Sequence, residues 1–137
     1  IDAPHDTYLH QHAAVNVVSG ECLHQHYQGM EKEAVFSLLQ QTSEGLTIIT
    51  SGGGNMLYGR KGQAMKQMSP FRVDVRSTLG AGDTYKAGCV YALLRGMSDE
   101  ETVRFAAACS GVAISRFPLP LNPPTMEEVN ALLNQDK

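Results

Sequence analysis

Residues 77–88 read Ser-Thr-Leu-Gly-Ala-Gly-Asp-Thr-Tyr-Lys-Ala-Gly, and they restrict the fold more than any other stretch. Gly80, Ala81 and Gly82 form a turn of small residues, Asp83 follows at once, and an apolar-periodic segment runs on to Leu94. A turn without bulky side chains lets backbone N–H groups converge on an anion, and a helix starting there adds the positive end of its dipole. An Asp beside a bound phosphate does not hold the phosphate, because like charges repel. Its sensible task is to take a proton from a hydroxyl that attacks phosphorus. The bland alternative is an ordinary helix start with an acid in its first turn.

Thr78, Gly80, Ala81, Gly82, Asp83, Tyr85, Ala87 and Gly88 stand in one register. That register resembles the C-terminal signature of the ribokinase-like (PfkB-type) carbohydrate kinases: Asp-Thr-x-Gly-Ala-Gly-Asp, an aromatic residue two positions on, then a small pair. The resemblance implies that Asp83 is the catalytic base and that Gly80, Ala81 and Gly82 line an anion hole for the transferred phosphoryl group. Ser77 stands where the family usually has an Asp that helps bind a monovalent cation. A neutral hydroxyl holds K+ more weakly, and Asp74, three residues earlier, is the candidate to compensate.

The 137 residues suffice for one domain with a real core. The net charge of −3 gives no basic surface for nucleic acid or an anionic membrane. Apolar runs fall short of a membrane span, and no signal-peptide pattern opens the chain. Cys22, Cys89 and Cys109 are odd in number and lack CxxC spacing, as in a reduced, cytoplasmic protein. The resemblance covers only the C-terminal half of the family. Residues 1–137 are thus expected to be a single α/β nucleotide-binding portion, without the N-terminal half and its lid. Its partner would be a second copy or that missing half.

Along the chain, Ala13–Val18 and Leu46–Thr50 read as strands, and Glu21–Tyr27 as a helical turn. Glu31–Gln41 reads as a helix with Ala34, Val35, Leu38 and Leu39 on its apolar stripe. Gly52 to Asn55 form a turn. Met56–Tyr58 and Gln63–Met68 read as a hairpin or two short strands. Three helices follow: Asp83–Leu94 ending at Gly96, one opened by the Ser98/Glu101 capping box and running to about Ile114, and one opened by Thr125/Glu128 and running to Leu133. The second contains Ala106, Ala107, Ala108, Ser110, Gly111 and Ala113, small enough for close helix approach. Pro118–Pro124 reads as a loop. The fold expected is α/β: a ribokinase-like (Rossmann-like) layered parallel sheet with flanking helices, C-terminal portion only.

The resemblance assigns further residues. Thr50-Ser51-Gly52 matches a Thr-x-Gly that contacts nucleotide phosphates, with Asn55 where a further Gly is usual. Glu21 matches the Glu of an Asn-x-x-Glu element that organises magnesium; Val18 fills the Asn place, and Asn16 is two residues off register. Ala107 stands where a frequent Asn meets the adenine ring. Gly54–Lys61 is no P-loop, lacking Gly-Lys-Ser/Thr, and Gly80-x-Gly82 is no dinucleotide fingerprint, having Tyr85 at the third Gly place.

The expected activity is ATP- and Mg2+-dependent phosphoryl transfer to a sugar or nucleoside hydroxyl. One alternative is a non-catalytic fragment that binds nucleotide weakly. A rival of another class is a metal-binding module, because Leu-His-Gln-His occurs at Leu9–His12 and again at Leu23–His26, with His5 nearby. His-x-His chelates on a strand, where i and i+2 share a face, whereas on a helix the rings diverge.

Overall fold

The computed structural model describes residues 2–118 and 121–135. The chain divides into two compact units, meeting between Ser69 and Pro70.

The first unit runs α1 (Tyr8–His12), β1 (Val15–Val18), α2 (Gly20–His26), α3 (Lys32–Thr42), β2 (Leu46–Ser51), β3 (Gly54–Gly59) and β4 (Lys66–Met68). Its sheet has the order β1-β2-β3-β4. β1 and β2 are parallel, from Val15 opposite Leu46 to Val18 opposite Ile49. β2–β3 and β3–β4 are antiparallel. The sheet is therefore mixed, and the parallel pairing expected from sequence holds for its first pair alone. Connection length explains the rest: only Gly52 and Gly53 separate β2 from β3, whereas a parallel link needs a crossover of a dozen residues or so, here supplied by α2 and α3.

Val18, Ile49 and Leu57 from the sheet pack with Cys22 and Tyr27, and with Val35, Phe36 and Leu39 of α3, in one apolar cluster. The buried face of α3 is Val35, Phe36, Leu39 and Gln40, while Ala34 is exposed and Leu38 half-buried. The helix is turned from the expected stripe so that the Phe36 ring enters the core. Gln40 tolerates burial because its amide donates to the carbonyls of Arg60 at 2.6 Å and Gln63 at 2.9 Å. α1 has no apolar period and buries only His10, whose Nε2 donates to the Leu39 carbonyl at 2.8 Å. Asn16 is also fully buried, and its amide donates to the His10 carbonyl and to Ser43 Oγ, both at 2.8 Å.

The second unit is helical: α4 (Ala81–Leu94), α5 (Asp99–Ile114) and α6 (Met126–Gln135). α4 closes in a Schellman motif, with Met97 N–H on the Ala92 carbonyl, Gly96 N–H on the Leu93 carbonyl, and Gly96 at φ +67°. The Ser98/Glu101 capping box is formed. So is its counterpart at α6, where Thr125 and Glu128 exchange backbone-to-side-chain bonds. Arg116 pairs with Glu128 and, with the Thr125 bonds, holds that carboxyl down at about 2. The small residues of α5 serve as expected: a side chain on Gly88 would begin 2.8 Å from Ala106 Cα, so α4 and α5 approach backbone to backbone there. Part of the expected Pro118–Pro124 loop, residues 119–120, lies outside the described residues. Among the described residues no helix is long and apolar enough to cross a membrane.

Candidate functional site

The signature turn is anchored before it begins. The Ile114 carbonyl, at the end of α5, accepts from Arg76 N–H at 2.7 Å and Ser77 N–H at 3.2 Å. Ser77 Oγ accepts from Leu79 N–H at 3.2 Å, so the hydroxyl expected near a monovalent cation shapes the turn itself. Thr78 then accepts from Ala81 N–H at 3.2 Å. Gly80 sits at φ +80°, ψ 1°, a left-handed conformation that favours glycine, and caps α4. The helix accordingly opens at Ala81, two residues before the start expected at Asp83, and Asp83 is its third residue.

This geometry sorts the expected anion-hole residues. Ala81 N–H is already taken by Thr78. The N–H groups of Gly82 and Asp83 have no acceptor four residues back within the helix. Gly82 is open: among the described residues, nothing beyond its chain neighbours and its own helix backbone lies within 4 Å of where a side chain would begin. Asp83 is exposed, and among the described residues no hydrogen bond or ion pair engages its carboxylate. The carbonyl side of the turn is held by two hydroxyls that sequence reasoning passed over. Thr84 donates to the Gly80 carbonyl through both N–H and Oγ1 at 2.9 Å. Ser110 Oγ donates to the Ala81 carbonyl at 3.1 Å. The sequence marks Ser110 only as small.

From the turn a mostly apolar groove of about 610 Å³ runs along α4, from Gly80 and Asp83 to Tyr91, walled by Phe105 and Cys109 of α5 and by the segment leading into α6. Burial pushes the Cys109 thiol up to about 11 and that of Cys89 to about 12, so neither is a thiolate at neutral pH. Asp83 is the carboxylate of the groove. Ala107, expected near the adenine, is buried in α5 and is not part of the groove wall.

In the first unit, Glu21 lies in the first turn of α2 and accepts from Gln25 Nε2 at 3.2 Å. The helix is capped by Ser19, which Asp2 grips twice, accepting from its N–H at 3.1 Å and its Oγ at 2.8 Å. Nothing in the sequence pointed to Asp2. Thr50 lies where the β2–β3 register slips, between Ile49 opposite Leu57 and Ser51 opposite Gly54; Gly52 has φ +57°. Because β1 and β2 are parallel, α2 and residues 50–52 leave the sheet at the same edge, and a side chain on Gly20 would begin 4.0 Å from the Thr50 carbonyl. Glu21, Thr50 and Gly52 thus gather at the carboxyl ends of parallel strands, where open α/β sheets bind ligands. Val18 in the Asn place is buried in the core, and Asn16 is committed to His10 and Ser43.

Both Leu-His-Gln-His copies are helical. His10 is a core residue held to Leu39, and His12 Nδ1 donates to the Tyr8 carbonyl at 2.9 Å. Among the described residues no group of three His, Cys, Asp or Glu could hold a metal ion.

A family model described as pfkB family carbohydrate kinase matches residues 19–125. The 5-dehydro-2-deoxygluconokinase of Halalkalibacterium halodurans is 26% identical over 110 residues, 80% of this chain. The match takes in 33% of that enzyme, so the chain spans about a third of the length of the curated relatives it matches. Among solved structures, Arabidopsis thaliana ribokinase complexed with ribose and ATP aligns with a TM-score of 0.80 at 23% identity, over 98% of this chain and 45% of that one. An Escherichia coli protein provisionally assigned as ribokinase II, in complex with ATP and Mg2+, aligns with a TM-score of 0.77 at 14% identity, over 90% of this chain and 40% of that one. These likenesses fix the fold as ribokinase-like. With the signature turn, they lead to one conclusion: the chain belongs to the pfkB family of carbohydrate kinases.

Proposed function

We propose that residues 1–137 are the nucleotide-binding, base-carrying portion of an ATP-dependent kinase that moves the γ-phosphoryl group to a sugar or nucleoside hydroxyl. The observation that carries this reading is the opening of α4. A left-handed Gly80 turns the chain, and among the described residues the N–H groups of Gly82 and Asp83 and the Asp83 carboxylate beside them have no partner. In this reading Asp83 takes the proton from the acceptor hydroxyl. The Gly80–Ala81–Gly82 turn faces the transferred group, with Gly82 as its main donor. Thr50 and Gly52 approach the nucleotide phosphates, and Ala107 marks the α5 face nearest the base. Glu21 orients the hydration shell of Mg2+, which when bound neutralises charge on the β and γ oxygens. The open Gly82 surface and the exposed Glu21 carboxylate suit such groups. Ser77 offers a K+ ion only a neutral oxygen, so cation activation is weak. The site of action is the cytoplasm.

A second reading has its own observation. The match covers a third of the relatives' length, and in this reading these residues are not catalytic by themselves: they bind nucleotide weakly, or serve only through a second copy or the remaining portion of the fold. One experiment addresses both. ADP production is followed with Mg-ATP and a panel of acceptors that includes 5-dehydro-2-deoxygluconate, ribose, fructose and nucleosides. Acceptor-dependent turnover that vanishes in Asp83→Asn, with nucleotide binding retained, supports the kinase reading. Turnover unchanged in that variant removes Asp83 from the mechanism. A folded chain without turnover favours the second reading.

A further inference from the structure

The signature turn is braced on one side and open on the other, and the two sides belong to the same peptide groups. The peptide joining Ala81 to Gly82 presents the Gly82 N–H, which has no helical acceptor and nothing crowding its α-carbon. The opposite end of that same peptide is the Ala81 carbonyl, which accepts from Ser110 Oγ at 3.1 Å. Ser110 is half-buried on α5, far along the chain from the turn. The preceding peptide, Gly80 to Ala81, is held by Thr84 from within α4, but its N–H is already spent on the Thr78 carbonyl. Ser110 therefore acts on the peptide whose donor is still available. A hydrogen bond to a carbonyl polarises the amide and strengthens its N–H as a donor. A peptide plane fixed at one end also loses less freedom when its other end binds.

Resting on the reading of the turn as a phosphate cradle, we propose that Ser110 is a positioning residue for the transferred phosphoryl group: through the Ala81 carbonyl it sets the orientation and donor strength of the Gly82 N–H, without touching the ligand. A simple brace between α4 and α5 would move stability alone. This role moves the Gly82 amide and the affinity for the terminal phosphate.

The test follows the Gly82 amide by NMR in the 137-residue chain during titration with Mg-ATP and, separately, Mg-ADP. Ser110→Ala shifts the Gly82 amide proton upfield before any ligand is added. It weakens Mg-ATP binding roughly threefold to tenfold, the effect of one polarising hydrogen bond, and Mg-ADP, which lacks the transferred group, by less. Ser110→Thr keeps the hydroxyl and restores both readings, and Ser110→Cys, a near-isosteric weak donor, falls between. An unmoved Gly82 amide in Ser110→Ala overturns the proposal. So does unchanged Mg-ATP affinity, or a loss confined to melting temperature. If Mg-ATP shifts no amide of the turn in the unsubstituted chain, the phosphate-cradle reading fails first and this inference falls with it.

Discussion

His10 has no exposed surface, and its ring meets the protein through Nε2 on the Leu39 carbonyl. Burial is the main force on its titration and lowers its pKa from the ordinary 6.5; the bond to Leu39 opposes, and the nearby His5 adds to the lowering. The unfolded chain therefore takes up a proton at a higher pH than the folded one does. His10 lowers stability nowhere well above pH 6.5. Its penalty appears as pH falls through 6.5 and levels off below the folded value. Each pH unit in that window costs up to about 1.4 kcal/mol. Urea unfolding between pH 7.5 and 5.5 should show a falling midpoint, and His10→Asn should flatten the decline. An equal decline in His10→Asn would place the effect elsewhere. Asp83 is the opposite case at this scale, a carboxylate held by nothing inside the described protein.

Among the elements, α4 and α5 approach closely at Gly88. A methyl group there would begin 2.8 Å from Ala106 Cα, which is backbone and yields little. Gly88→Ala should destabilise the second unit by about 1–3 kcal/mol, the usual range for overpacking, despite the better helix propensity of Ala. A melt that rises instead would show that α4 and α5 separate freely. The legible features are those whose chemistry is local. Both capping boxes and the Gly96 stop are read within four residues of themselves, and each formed; of the expected glycine-rich turns only Gly52, Gly53 and Gly80 turn, because Gly54 and Asn55 join β3 and Ala81 and Gly82 join α4. The start of α4 was displaced because the left-handed Gly80, and not the first acid, caps the helix. α1 was invisible because it stands on one buried histidine and a carbonyl in α3. The same limit hid half of the candidate site. Gly80, Gly82 and Asp83 declare themselves by type and spacing, but Ser110 reaches Ala81, and Asp2 reaches Ser19, only after folding. An apolar stripe also fixes a helix face only to within a residue or so, which is why Phe36 displaced Ala34 from the core.

As a whole molecule, the chain displays large apolar side chains: Leu94 at 83%, Leu121 at 84% and Leu79 at 73% exposure. Such exposed apolar surface should drive self-association as concentration rises, which sedimentation velocity measures directly. A monomer throughout the accessible range would count against the reading that it needs a second polypeptide. The parallel pairing of β1 with β2 bears on the time the molecule needs to assemble. β2 meets β3 across Gly52 and Gly53, a closure of the kind completed in microseconds. Val15 meets Leu46 only after about thirty intervening residues have been drawn round, an entropic toll met before any contact returns it. The edge that brings Glu21 to Thr50 thus carries the larger closure cost of the two pairings. On a ribosome that has not yet released Leu46, β1 and α2 still lack the second strand that makes that edge.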